Sequence, residues 1–486
     1  MRYRTFECFY SCATPAPAPT INHMTMFPTP ADIEAATPVS RDRAIDAIRI
    51  VSLLGVVIGH TVMATSTLRD DVFIWSNLLT ASPVLQALTW VFQIMPLFFF
   101  AGVAACVESW KPDSSWGNWL LRRCTRLYRP VFYYLAFWAV ALLALRLVLP
   151  EHVYEPVAGI SIQLLWFLGA YVLVLAAVPA LARIRTPGRM VAAVAAAYGF
   201  IAVVDAVRIN VEGWAALGYL NLAVWLIPGM LAVGYRRALL SARVAVTLGT
   251  AMLAVNLALV MFGPYELSLV GIESQQLKNM TPPSLLLAGH AIMMCAFAIA
   301  AMPAIARWAR RPRVWWLTAI GNTGAMTLYL WHMPALLMMH LAFDYLGYPR
   351  FDPAAPSFIA LSVLQVLIMV TLVALLFVTL RPLENDPLPL WDGGFLAAPG
   401  VRSATVGVLL CTAGAATLAS IGWGLKDQGL LCVAVMLTAL VVARGLASDA
   451  KLLSAARTSP LDRRPATLDG QTPQRGSYLA ARSSSG

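Results

Sequence analysis

Charge is the scarcest thing in this chain. Asp, Glu, Lys and Arg make up 12% of its 486 residues against 59% apolar ones, and mean hydropathy is +0.71. Soluble domains carry about 25% charged residues, so a water-soluble globular protein is excluded. Cysteine is sparse as well. The seven cysteines are scattered and no Cys-x-x-Cys pair occurs, so the sequence indicates neither a disulfide framework nor a metal site. The absence of a Gly-x-Ser-x-Gly elbow, a His-Glu-x-x-His pair and a Walker sequence removes several soluble hydrolase and ATPase chemistries. A cleavable signal needs a basic start followed directly by an apolar core. Residues 1–40 offer instead Ala-Thr-Pro-Ala-Pro-Ala-Pro-Thr, and read as a disordered tail or as a start placed ahead of Met24 or Met26. Residues 448–486, rich in Arg, Ser, Pro and Gly, read as a second disordered tail.

Apolar segments of spanning length, about 20 residues each, are what the chain has in abundance. They recur near 46–66, 88–108, 131–149, 162–182, 190–206, 217–235, 243–262, 283–303, 318–341 and 357–380, then near 402–423 and 429–446. The weakest is 190–206, which is short and Ala-rich. The expected fold class is all-α, a polytopic membrane protein with ten helices over 41–385 and two further spans over 386–447. The net charge of +11 invites a nucleic-acid reading, but its distribution argues for topology. With the N-terminus inside, the basic clusters at 122–129, 183–189, 236–243 and 307–313 all fall on inside loops. The outside loops hold only Arg69, Arg208, Lys278, Arg350 and Lys426. That bias follows the positive-inside rule, so both termini are expected in the cytoplasm, with no nucleic-acid partner.

The first span carries ionisable residues, which inside a bilayer mark a functional site by default. Arg49 precedes His60 by eleven residues. At about 100° and 1.5 Å per residue they share a stripe to within roughly 20°, about 16 Å apart, and Asp46 projects within about 40° of it. That side is expected to face protein or water. Before the third span, Arg122, Arg126 and Arg129 fall on one helical face, and Pro130 can open or kink the helix that follows. Guanidiniums converging at the cytoplasmic surface suit phosphates; lipid headgroups are the plainer occupant. The ninth span reads Gly321-Asn-Thr-Gly324-Ala-Met-Thr-Leu-Tyr329-Leu-Trp331-His332-Met-Pro334 and brings His332 to a depth like that of His60. His332 is either a second site residue or a structural histidine bonded to a neighbouring helix. His290 and His340 read as packing, and Leu165-Trp166-Phe167 as an interfacial anchor or a pocket rim.

Taken in order, Asp46-x-x-Arg49-x10-His60, Met95-Pro-Leu-Phe-Phe-Phe, Arg126-x-x-Arg129, Leu165-Trp166-Phe167 and Tyr329-x-x-His332 resemble the acyltransferase-3 family of integral membrane acyl-CoA-dependent O-acyltransferases. The resemblance covers about residues 40–385. The chain departs from it in having Ala101-Gly102 where a Ser-Gly pair is common. It implies a ten-helix core in the cell membrane. It implies also transfer of an acyl group, usually acetyl, from acyl-CoA to a hydroxyl of a carbohydrate, glycolipid or small molecule, with no permanently bound cofactor. Some members carry a soluble esterase-like domain at the C-terminus; residues 386–486 hold two apolar spans instead, for which packing, oligomerisation or regulation are the roles considered.

On that resemblance the donor phosphates would dock on Arg126 and Arg129. A neutral His60 would act as general base on the acceptor hydroxyl. Arg49 would orient the imidazole, bind donor phosphate or stabilise developing negative charge, with Asp46 paired to it. His332, with Tyr329 and Trp166, would bind the acceptor or relay a proton. The rival class is a transporter, which twelve spans and intramembrane charges also fit. Against it, spans seven to twelve lack a counterpart of the Asp/Arg/His set.

Overall fold

The computed structural model describes residues 27–449 apart from 71, 112, 272–276 and 397–398. Among the described residues, twelve segments are long and apolar enough to cross a membrane, and all twelve expected spans are there, the Ala-rich fifth included. A short helix α1 (Pro30–Ala36) precedes α2 (Arg43–Met63), the first span. An antiparallel hairpin, β1 (Ala64–Arg69) and β2 (Val72–Asn77), leads into α3 (Pro83–Phe92) and α4 (Met95–Cys106), which together form the second. The third is α5 (Trp116–Val148); α6 (Glu151–Ile160) and α7 (Leu165–Leu181) make the fourth, and α8 (Pro187–Asn210) the fifth. A 3-10 run, Ala215–Trp225, continues into α9 (Leu226–Arg236), followed by α10 (Ala242–Phe262) and α11 (Leu285–Ala309). The ninth span, expected as one helix, is interrupted at Gly324 into α12 (Pro312–Thr323) and α13 (Ala325–Tyr345). Then come α14 (Phe358–Asn385), α15 (Val401–Ser420) and α16 (Asp427–Gly445).

The helices sort into a centre and a rim. The apolar windows of α11 and α13 are 72% buried, whereas those of α10 and α14 are 17% and 11% buried. A helix that keeps its backbone bonds to itself can offer an all-apolar outer face to lipid. Leu and Val on α10 and α14 do so, while Phe99, Trp119, Trp138 and Trp225 fill the interior.

Two expectations need correcting, and one element is new. Residues 27–40 belong to the fold, while the tails at 1–26 and from 450 onward lie outside the described residues. α1 forms because Thr29 and Asp32 make a reciprocal capping box with Pro30 in the first turn. It packs Ile33 against Trp315, whose indole Nε1 donates to Thr37 Oγ1 at 2.8 Å. Pro130 opens no span; it sits inside the 33 residues of α5. That helix is about 50 Å long against a hydrocarbon core of about 30 Å, so its Arg-rich first turns extend past the apolar layer. The hairpin was not foreseen, and it ends α2 just after His60.

The two C-terminal helices are packed into the core. α15 lies on α5 and α7, where Gly169 and Gly414 let the backbones approach closely. A Cβ on Gly169 would stand 2.6 Å from Gly414 O. Gly169→Ala is therefore expected to cost about 1–3 kcal/mol through overpacking. It would be read as a lower thermal midpoint of the detergent-solubilised protein, and an unchanged midpoint would contradict the contact.

Candidate active site

On α2, Arg49, Val56 and His60 form one stripe, and all three are partly exposed. The most exposed residues of α2, Val51, Leu54, Ile58 and Val62, stand roughly 140–220° round the helix from Arg49, so the stripe faces the protein interior. Exposure on an inward face reports internal space. The expectation that this side avoids lipid therefore holds. His60 is in the last turn of α2, farther along the helix than its midpoint.

The charged pairing expected on this helix is different in detail. Asp46 is buried and its carboxylate takes Arg41, with Nε at 2.5 Å and Nη2 at 2.6 Å. Arg49 instead donates from Nε to Asn322 Oδ1 at 2.7 Å, and Asn322 Nδ2 donates to the carbonyls of Asp46 and Thr318 at 3.1 and 2.8 Å. A bidentate carboxylate–guanidinium pair uses both oxygens of Asp46, which leaves Asn322 to orient Arg49. The sequence signal for Asn322 was an amide in an apolar segment, two residues before Gly324, where the helix breaks.

The two intramembrane histidines meet. His60 Nδ1 lies 3.0 Å from His332 Nε2, and the rings stack with centroids 5.3 Å apart and 22° between planes. His332 is 1% exposed and its Nδ1 lies 2.9 Å from Leu328 O. A carbonyl oxygen only accepts, so His332 carries its proton on Nδ1, as in metal and catalytic sites where the second nitrogen fixes the tautomer. Nε2 of the neutral ring is then an acceptor, and His60 must donate to it from Nδ1. The lone pair of His60 is thereby left on Nε2, which has no partner among the described residues.

This meeting depends on the interrupted ninth span. Starting afresh at Ala325 sets His332 in the second turn of α13, level with the last turn of α2. Backbone N–H groups at a helix start inside a membrane need partners. Here the buried Glu384 carboxylate accepts from Met326 N at 3.3 Å, Thr327 N at 2.9 Å and Thr327 Oγ1 at 2.9 Å. A narrow crevice lined by Thr327, Leu328, Trp331, His332, Leu376 and Phe377 separates α13 from α14 beside the imidazole.

Other expected residues are placed apart from this centre or are already engaged. Tyr329 is buried, packs on Phe167 with centroids 5.4 Å apart, and its hydroxyl donates to Leu164 O. Trp166 lies against Trp225, centroids 5.5 Å apart. Both belong to an aromatic cluster between α7, the end of the 3-10 run and α13. Arg126 and Arg129 do not converge: Arg126 is exposed, whereas Arg129 is 6% exposed and bonded to Asp392, Glu384 O and Asn385 O. The geometry gives Arg129 no side turned to a phosphate. His290 is held by Gln93 O at 3.0 Å. His340, read as packing, belongs to a buried cluster in which Ser66 Oγ lies 2.8 Å from its Nδ1 and donates to Asp344 Oδ2 at 2.7 Å. The signal for Asp344 was its place one helical turn after His340.

A family model described as an acyltransferase domain, of the acyltransferase-3 type, matches residues 42–381. It runs from the cap of α2 through most of α14 and leaves out α15 and α16. No curated protein and no solved structure matches the chain.

Proposed function

Since the chain belongs to the acyltransferase-3 family and is a multi-pass membrane acyltransferase, we propose that it moves an acyl group, acetyl in the simplest case, from acyl-CoA to a hydroxyl of a carbohydrate, glycolipid or small-molecule acceptor. His60 is the general base. Its Nε2 takes the acceptor proton as the hydroxyl oxygen attacks the thioester carbon. The tetrahedral intermediate then collapses, the C–S bond breaks, and the same nitrogen returns the proton to the departing thiolate. The observation that carries this reading is the His60–His332 hydrogen bond, because it leaves the lone pair of His60 on Nε2, which has no partner among the described residues.

Magnitudes narrow the role of Arg49. It lies about 16 Å along the helix from His60, several times the reach of a hydrogen bond, so it neither orients the imidazole nor touches the oxyanion formed there. Donor binding remains. With the start of α2 at the cytoplasmic face, phosphates enter near the exposed Arg122 and Arg126. The pantetheine arm then follows the stripe past Arg49, and the thioester ends at His60. Arg129 supports this surface from within.

The test uses the purified full chain in lipid vesicles with acetyl-labelled acetyl-CoA and an extract of membrane glycolipids. Acceptor-dependent thiol release, with the label recovered on a glycolipid or small molecule, supports the proposal. Uptake of solute into the vesicles without thiol release would overturn it in favour of a carrier.

A further inference from the structure

The end of α14 stands between the two halves of the broken span and closes both. Glu384 caps the first turn of α13, and Asn385 Nδ2 donates to Thr323 O at 2.8 Å, at the end of α12. The main-chain carbonyls of these two residues accept from Arg129 Nη1 at 2.9 and 3.1 Å. Arg129 is gripped in turn by both oxygens of Asp392, with Nε 3.0 Å from Oδ2 and Nη2 on Oδ1. Asp392 lies beyond the residues that match the family, between α14 and α15. It is fixed by Leu388 N, which donates to Oδ2 at 2.6 Å, and by Arg444 of α16, which donates to the carbonyls of Trp391 and Asp392 at 2.8 and 3.2 Å. Trp391 Nε1 donates to Thr125 O on α5 at 2.8 Å. Direct hydrogen bonds thus run from α16 to the first turn of α13, one turn from His332.

We infer that Asp392, Arg129 and Glu384 are positioning residues, and that α15 and α16 are a built-in brace that sets the height at which His332 Nε2 meets His60. The inference rests on the acyl-transfer reading for its kinetic part only. A helix start in apolar surroundings has N–H groups that must be satisfied, and a carboxylate there is further favoured by the helix dipole. With the cap loosened, α13 can slide along its axis by the rise of one residue. That moves His332 by about 1.5 Å, and a misplacement of about 1 Å costs on the order of 100-fold in rate.

Glu384→Gln keeps the shape but turns an N–H donor toward the N–H groups of α13, and Asp392→Asn removes one charge from the Arg129 pair. In vesicles with acetyl-CoA, Glu384→Gln is expected to lower kcat on the order of 100-fold with the KM for acetyl-CoA unchanged, and Asp392→Asn to lower it less. The double variant should be no worse than Glu384→Gln alone, because residues acting as one unit are not additive. Additive losses, or normal kcat per folded molecule with lower yield, would reduce the brace to ordinary packing and overturn the inference. Hydrogen–deuterium exchange over 324–333 gives a readout independent of activity. Faster exchange there in Asp392→Asn, with α10 unchanged, supports the brace even if the wild type transfers no acyl group. Unchanged exchange overturns it even if the enzyme is active. Should Glu384→Gln fail to accumulate, Asp392→Asn, in the partly exposed connection between α14 and α15, still decides both measurements.

Discussion

His60→Ala is expected to lower kcat for acyl transfer by about 100- to 10,000-fold, the range of a lost general base, while the protein inserts and folds as before. The folding half of that expectation follows from the surroundings. His60 is only partly buried, on a stripe bordering internal space, and its one hydrogen bond among the described residues goes to His332. Truncation leaves His332 Nε2 as an unpaired acceptor beside the space the ring vacates, at a cost of about 1–3 kcal/mol, small next to the removal of the base. Donor binding should survive, because the residues assigned to it lie toward the other end of α2. The measurement is thiol release at saturating acetyl-CoA, normalised to protein that elutes as a single species in detergent. Free imidazole added to the variant should restore part of the rate, since the cavity left by the ring is the size of that molecule. Full activity in His60→Ala removes the proposed mechanism outright.

The spans were legible because a membrane helix has to be apolar for about 20 residues, a constraint written locally in the sequence. The Arg49–His60 stripe was legible for the same reason, since a regular helix fixes which residues share a face. Pairings between helices were not. Asp46 and Arg49 are three residues apart, and helical geometry made them natural partners, yet Arg41 reaches forward to Asp46 and Asn322 arrives from α12 for Arg49. Nothing in the sequence around Glu384 distinguishes it from an ordinary charge at the end of a span. Its work as a cap depends on α14 ending beside the break at Gly324, a relation between segments that no local pattern records. Residues 27–40 were misjudged in the opposite sense. Their composition suggests disorder, but a capping box and one buried Ile33 suffice once Trp315 and Trp316 supply a surface.

The second large effect concerns His332, and it separates proton positioning from acceptor binding. If His332 holds His60 in the tautomer with Nδ1–H, then His332→Ala frees the ring to rotate and to place its proton on Nε2, where it no longer acts as a base. In serine-protease triads the loss of the tautomer-fixing partner costs about 10,000-fold in kcat; that partner is a charged carboxylate, so for a neutral imidazole the loss should be smaller, on the order of 100-fold or more. The KM for the acceptor should not move. His332→Gln offers a carbonyl oxygen in nearly the same place, accepts from His60 Nδ1, and should recover most of the rate. His332→Lys offers only donors, and should be as impaired as Ala. The opposite pattern, in which each variant raises the KM for the acceptor while kcat at saturation stays intact, would make His332 a substrate ligand and leave His60 without its fixed tautomer. Steady-state kinetics on the four proteins distinguishes these outcomes, because a residue that acts through another changes the chemical step, whereas one that holds substrate equally in ground and transition states changes only its binding.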